Sequence, residues 1–494
     1  MGEKPTQKSF VSRLTRPQRV LILIIAAYVL IGFGLGNRCY EVFGYDQGGS
    51  SVFEHMMWHT VHGRPFHLTV PCSADQQKPV NMFAVHGAYF WAFLVPIYAV
   101  LPGPSTLLFL QSLALGLAAV PMYLIARRVL EDEWVAVLLA TAFILMPPIV
   151  SQHVNQIQEP SFLPVLLLFV FYFFLERRFK AFLIMAFVSC LNRENVPLGI
   201  GMFGLWALLD RRKWKWVVAP VVLGVVYFAF VTKIAMPYFR QGEPWHVAKQ
   251  FEHLGGGPVE IIKNVFVQPQ LLFGHLLGRD NIQYVIFLFQ PMGWILPLLN
   301  PAAVVALPDL AANTLSNNSA LKVIAWHYNL TTTAALFVSL ILTIRKLGVW
   351  LGQRFGGSRS LYIVALFLLA MPIAHWFLWF QPRYFRRLPQ HDVLVRALAV
   401  VPSESSVAAP QRTLAHLASR EHYADLAIFN LWPRYAAQFD YVILDANERQ
   451  YPPFVTQEFF DKFNRSTNYR MIFAEANVFV FQRQGPEAVW KFGE

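Results

Sequence analysis

For most of its length the chain alternates apolar runs of about 13 to 22 residues with short polar stretches, several of them clusters of Lys and Arg. The longer runs have the length and polarity that a helix needs to cross the ~30 Å hydrocarbon core of a bilayer. Inside that core every backbone N–H and C=O must be satisfied within the segment, which favours helices. Composition agrees: only 14% of the 494 residues are charged, against ~25% in ordinary soluble domains, and 55% are hydrophobic. The sequence therefore reads as an α-helical polytopic membrane protein. Lys and Arg outnumber Asp and Glu by 41 to 29, but the surplus falls in short clusters between apolar runs. Nucleic-acid binding would want a long basic stretch with interleaved aromatics, so no nucleic-acid partner is expected.

The clusters orient the chain. Lys4, Lys8, Arg13, Arg16 and Arg19 precede a first apolar run over 20–36, which is too long for a signal-peptide core and is followed by Asn37-Arg38-Cys39 rather than a small-residue cleavage pattern. It reads as an uncleaved anchor with its N-terminus in the cytoplasm. Residues 37–104 then form a first outer loop. Within it 83–101 is apolar but broken by His86, Gly87, Pro96, Pro102 and Pro104, and as a span it would carry Arg127 and Arg128 to the outside. The positive-inside rule instead lays it on the outer membrane surface. Spans are expected at 105–126, 134–150, 161–175, 180–192, 197–209, 216–236, 283–299, 300–313, 329–345 and 360–380, about eleven in all. On that topology eighteen Lys/Arg lie inside and nine lie outside before the tail.

The membrane domain thus covers 1–381. From 382 to 494 the charges balance, thirteen basic against twelve acidic, and β-like runs at 406–409, 441–444 and 478–481 alternate with helix-like ones at 411–419 and 456–463. This reads as a small soluble α/β domain, which an odd number of spans places outside. Cys39 and Cys72 share the first outer loop, where an oxidising compartment permits a disulfide, whereas Cys190 sits in an apolar span as a small core residue. Zinc-type and Cys-x-x-Cys spacings, a Walker A loop and a dinucleotide-binding glycine fingerprint are all lacking.

What remains is a set of ionisable residues that this topology gathers at the outer ends of helices: Asp46 beside Gly44, Gly48 and Gly49; His86; His153 and Glu159 in 151–160; Arg193 and Glu194 in Asn192-Arg193-Glu194-Asn195; Asp309; and His327-Tyr328. Each has a plain structural reading. Asp46 suits a glycine-rich turn, Glu159-Pro160 suits a helix N-terminus, Glu194 can pair with Arg193, and His327 can be an interfacial histidine. Together they weigh more, because ionisable groups near hydrocarbon are costly and mark function.

The order of these features resembles a known group of enzymes. Asp46 in a first outer loop, an apolar surface segment ending in Pro96-Ile97-Tyr98, then 110–114 leading to Pro121-Met122-Tyr123 and Arg127-Arg128, is similar to the N-terminal half of GT-C glycosyltransferases. The chain as a whole, through 313–317, His327-Tyr328 and 407–445, resembles an uncharacterised prokaryotic multi-pass family of unknown function that is distant kin to them. The resemblance implies an enzyme of the plasma (inner) membrane that transfers a sugar from a polyprenyl-phosphate-linked donor to a glycan, lipid or protein acceptor on the outer face.

Such a transfer needs a carboxylate base for the acceptor hydroxyl and positive charge for the leaving phosphate. The expected roles are Asp46 as base and Glu159 as a second carboxylate for acceptor or metal. Arg64, Arg193, His86 and His327 are candidates for the phosphate, and Tyr45, His153, Glu194 and Tyr328 complete the substrate-binding set. GT-C enzymes often carry an acidic pair where this chain has Asp46-Gln47, so the motif does not fix a requirement for a divalent cation, Mg or Mn. The competing classes are a lipid or solute transporter or flippase, which would more often show repeated halves and midplane charges, and a membrane-anchored assembly protein.

Overall fold

The computed structural model describes residues 14–45, 49–69, 80–155, 157–241, 246–255, 260, 263–264, 267–355, 357–379, 385–426, 439–448, 457, 460–461, 463–466 and 468–485. Asp46, Gln47 and Cys72 lie outside them.

The first apolar run is a single helix, α1 (Arg16–Glu41), started by Thr15. The Thr15 side chain accepts from Gln18 N–H while the Gln18 side chain reaches back to the Thr15 backbone, and Pro17 occupies the first turn, where its missing N–H costs nothing. Among the described residues three further helices are long and apolar enough to cross a membrane: Pro104–Leu130, Trp214–Arg240 and His327–Gly348. Glu133–Ile144 and Pro147–His153 form a pair bent by 56°, and Glu159–Leu175, Phe179–Cys190, Val196–Leu209 and Leu361–His375 are shorter apolar helices. These match the expected positions closely.

The exception is 283–313, expected as two spans. The observed path is Arg279–Phe289, then short turns at Gln290–Met292, Leu296–Leu299 and Pro301–Ala306, and a last helix Leu307–Leu315. Pro291, Pro297, Pro301 and Pro308 each remove a backbone donor, and Gly293 and Trp294 adopt left-handed backbone (φ +75° and +60°). An apolar run with proline at that density cannot hold one continuous ladder.

The loop after α1 is built of small pieces. Helix α2 (Gly49–Val61) is followed by a two-strand ribbon, β1 (His67–Leu68) antiparallel to β2 (Val80–Asn81). The expected surface segment is broken into Met82–Val85, Tyr89–Phe93 and Val95–Val100. They do not lie bare on the membrane: Trp91 and Tyr98 are fully buried and pack with Phe53, Met56, Leu107 and Phe162 into a core of their own.

The tail carries a five-stranded sheet of β3 (Val407–Ala409), β4 (Tyr423–Asp425), β5 (Tyr441–Asp445), β6 (Tyr469–Glu475) and β7 (Val478–Arg483), in the order β4-β3-β5-β7-β6. The first three are parallel and the last two antiparallel to their neighbours. Apolar clusters cover both faces, and one of them takes Phe43, the residue just beyond α1, in among Val393, Leu394 and Leu414 of the tail. The tail is thereby docked on the first loop rather than tethered to it.

Candidate functional site

Three chain segments meet at one end of the membrane domain. The turn 191–195 joins Phe179–Cys190 to Val196–Leu209, and Pro197 in the first turn of the second helix sets its start. Glu159 opens the short turn Glu159–Phe162 ahead of Leu163–Leu175. His86 follows Met82–Val85, which Asn81 caps, in extended backbone. The loop is pinned to the turn by Phe90 N–H donating to Leu191 O at 2.8 Å. Gly87 permits the approach: a Cβ there would stand 2.9 Å from a Val231 methyl and 3.5 Å from Glu194 N.

The side chains close into one cluster of ionisable groups. Glu194 takes His86 Nδ1 at 3.0 Å on one oxygen and Gly87 N–H at 3.0 Å on the other. Arg193 lies 3.9 Å from Glu194 and 3.4 Å from Glu159, and His86 Nε2 is 4.0 Å from Glu159. Arg193 and the His86 ring thus face two carboxylates. Burial alone would push the Glu194 carboxyl up, but His86 and then Arg193 outweigh it and hold the group at about 2. Glu159 differs: its Oε1 is buried without a hydrogen-bond partner, although charged groups stand nearby. Buried polar atoms are rarely left so, and here the unmet acceptor is a carboxylate oxygen.

The Arg193 guanidinium also lies 5.5 Å from the Tyr328 ring centre, and Tyr328 packs on His327 with ring centres 4.0 Å apart. Asp309 is buried one layer behind, accepting from Asn195 Nδ2 at 2.6 Å. The segment carrying His327 and Tyr328 is fixed two residues earlier. The Ala325 carbonyl accepts from Ser151 Oγ at 2.8 Å, from Gln152 Nε2 at 3.1 Å and from Asn155 Nδ2. Ala325, Val323 and Ile324 also wall a cavity of about 510 Å³, lined further by Leu35, Tyr284 and Phe287 and by Asp280 and Lys322.

Of the residues singled out in the sequence, Glu159, Arg193, Glu194, His86, His327 and Tyr328 are brought together. Three are not. Tyr45 is buried and donates to Gly36 O at 3.0 Å. Arg64 pairs with Glu421 of the tail at 2.5 Å. His153 packs into helix α1 against Gly32 and Tyr28, 3.1 Å from Ser112 Oγ. Asp46 lies outside the described residues, directly after Tyr45. Sequence reasoning passed over Glu54, a buried carboxylate in α2 that accepts from Tyr98 OH at 2.6 Å and Ser419 Oγ at 2.8 Å. Its signal was a lone charge among Val52, Phe53, Met56 and Met57. Among the described residues no three His, Cys, Asp or Glu are grouped to hold a metal; His86, Glu159 and Glu194 face Arg193 and one another instead. The described donors therefore do not fit a metal.

A family model for predicted membrane proteins, DUF2079, matches residues 41–480. The chain belongs to the DUF2079 family. Its fold is similar to that of ArnT from Cupriavidus metallidurans, solved bound to undecaprenyl phosphate, with a TM-score of 0.53 at 11% identity, over 94% of this chain and 99% of that one. ArnT in its apo state gives 0.50 at 10% identity, with the same coverage. The Archaeoglobus fulgidus oligosaccharyltransferase tethered to an acceptor peptide gives 0.43 at 12% identity, over 95% of this chain and 74% of that one. Nothing among curated proteins matches the chain. This DUF2079 protein thus has a GT-C-like fold, as expected: a helical membrane domain with a small sheet-containing tail.

Proposed function

We propose that this DUF2079 protein is a membrane glycosyltransferase that moves a sugar from a polyprenyl-phosphate-linked donor to an acceptor on the outer face of the membrane. The observation that carries the reading is the buried cluster of Glu159, Arg193, Glu194 and His86 at the junction of the first loop with the helix ends, on a fold shared with a protein that binds undecaprenyl phosphate. A transporter would more often place its charges near the midplane of repeated halves.

The roles divide by environment. Glu194 is saturated by His86, Gly87 N–H and Arg193, which makes it an anchor and a poor base. Glu159 Oε1 accepts no hydrogen bond and meets Arg193 only as an ion pair at 3.4 Å; Glu159 is the carboxylate that orients the acceptor. Asp46 is the base that takes the acceptor proton as the new glycosidic bond forms. In the same displacement the bond from the anomeric carbon to the phosphate oxygen breaks, and the lipid phosphate leaves with the electron pair. Arg193 is placed to receive that charge, since a guanidinium contacts phosphate through two parallel donors. The cavity of about 510 Å³ beside Ala325 offers an apolar seat for part of the prenyl chain.

The test is sugar transfer in proteoliposomes supplied with polyprenyl-phosphate sugars extracted from the host membrane, with product followed by mass spectrometry. Asp46→Asn should lower turnover by roughly 10²–10⁴-fold with donor still bound, and Glu159→Gln should lower it while changing acceptor dependence. Full transfer by the Asp46→Asn protein would remove that residue as base. Movement of lipid or solute by the wild type without any glycosylated product would replace the enzyme reading by the transporter one.

A further inference from the structure

The helix Phe179–Cys190 leads to the charged cluster at its C-terminal end; its other end opens a different site. A groove of about 920 Å³ runs between this helix and Trp214–Phe230, walled by Leu183, Phe187, Val218, Val222, Val226 and Phe230. The wall is open to the membrane: Phe187 is 47% exposed and Val226 61%. From Lys215 to Tyr227 it rises about 18 Å, slightly more than the ~15 Å hydrocarbon depth of one leaflet.

The mouth of the groove is basic. Trp214 and Lys215 line it, and the Lys215 ammonium lies 4.8 Å from the Phe179 ring centre. Around it Arg177, Arg178, Lys180, Arg211 and Lys213 are supplied by the two adjoining turns. The carboxylates of those turns are already taken, Glu176 by Arg128 at 2.9 Å and Asp210 by Arg212 at 3.7 Å. Among the described residues no carboxylate stands within ion-pair reach of Lys180, Lys213 or Lys215. A cation without a counter-charge, set where an apolar groove reaches headgroup level, calls for an anion with a hydrocarbon tail.

We infer that this groove is a binding site for an anionic phospholipid. Its phosphate lies on Lys215 and Lys180, Trp214 stands at the interface, and one acyl chain lies along Val218, Val222 and Val226. The charge distinguishes this from the ordinary lipid annulus: a zwitterionic lipid fills the groove equally well but brings its own ammonium to a mouth already rich in cations. The site is at the opposite helix end from the charged cluster and is independent of the reaction proposed there.

The test is native mass spectrometry of the full chain, delipidated and then equilibrated with mixed micelles holding equal phosphatidylglycerol and phosphatidylcholine. The wild type should retain one phosphatidylglycerol in preference to phosphatidylcholine, and each lysine near the surface is worth about fivefold in that ratio. Lys180→Gln with Lys215→Gln should lower the ratio by about 25-fold. Val222→Trp, on the lipid-facing wall where Val222 is 52% exposed, should lower retention of the bound lipid while leaving the helix core untouched. Equal retention of the two lipids by the wild type would overturn the site, and so would an unchanged ratio in a folded double-lysine variant. If a variant fails to fold, the wild-type ratio decides alone.

Discussion

Glu194 illustrates how much one residue can be asked to hold. Its two oxygens bind the loop through His86 and Gly87 and the helix turn through Arg193, so it joins segments more than 100 positions apart in the chain. Glu194→Gln keeps the shape but removes the charge that Arg193 and the His86 ring face. Breaking one side of a buried ion pair costs about 3–5 kcal/mol, so the variant should melt well below the wild type in detergent. An unchanged melting temperature would reduce Glu194 to a bystander. Because its carboxyl is depressed from 4.5 to about 2, the stability it contributes is fully present above pH 4.5 and is lost as pH falls toward 2. Residue types at helix ends made this cluster visible in the sequence. The pairing of His86 with Glu194 was not visible, because it depends on Gly87 allowing two backbones to approach.

Among the elements, the seam between the first loop and the tail is lined with histidines that burial holds neutral, against carbonyl contacts that favour the charged ring. His55 donates through Nδ1 to Ala418 O at 2.9 Å, leaving Nε2 to accept from Thr69 Oγ1 at 2.8 Å. His59 Nε2 meets Glu421 O at 3.1 Å, and His416 Nε2 meets Tyr40 O at 3.0 Å. Burial depresses all three, His59 and His416 to about 4, and His67 and His422 move the same way. Glu54 opposes them, since burial raises its carboxyl and acid relieves that cost. Five histidines outweigh one carboxylate. Docking is therefore complete above pH 6.5 and weakens as pH falls from 6.5 toward 4. Hydrogen exchange, corrected for its intrinsic pH dependence, should show amides of 54–61 and 416–423 less protected at pH 5 than at pH 7.5. Equal protection at both would sink the idea. The sequence disclosed the helices of the membrane domain through their apolar lengths, but not α2, and it failed at 283–313, where apolarity was read as span and the proline spacing went unweighed. It gave no sign of the seam, whose partners are some 360 positions apart.

At the scale of the molecule, the orientation expected from the Lys/Arg bias does not depend on 283–313 forming two spans, since a segment that turns back and one that crosses twice both leave by the side they entered. Cysteine labelling in intact cells should therefore find Ser50 and the tail accessible from outside and Arg354 only from within. Labelling of the tail from the cytoplasm alone would reverse the assignment and put the cluster on the inner face.

The docked tail also fixes the order of events during synthesis. Residues of α2 are among the first to leave the ribosome, yet the carbonyls of Ala418 and Glu421 that complete His55 and His59 are made only after every helix of the membrane domain. Until then the loop carries Glu54, His55 and the Phe43 side chain without the surfaces that cover them. A nascent chain in that state exposes apolar surface while it waits, as intermediates of large proteins do, and closing so long a loop is slow. The first loop is thus made early and finished last, and a chain truncated before residue 416 would be left with that surface uncovered however well its helices had inserted.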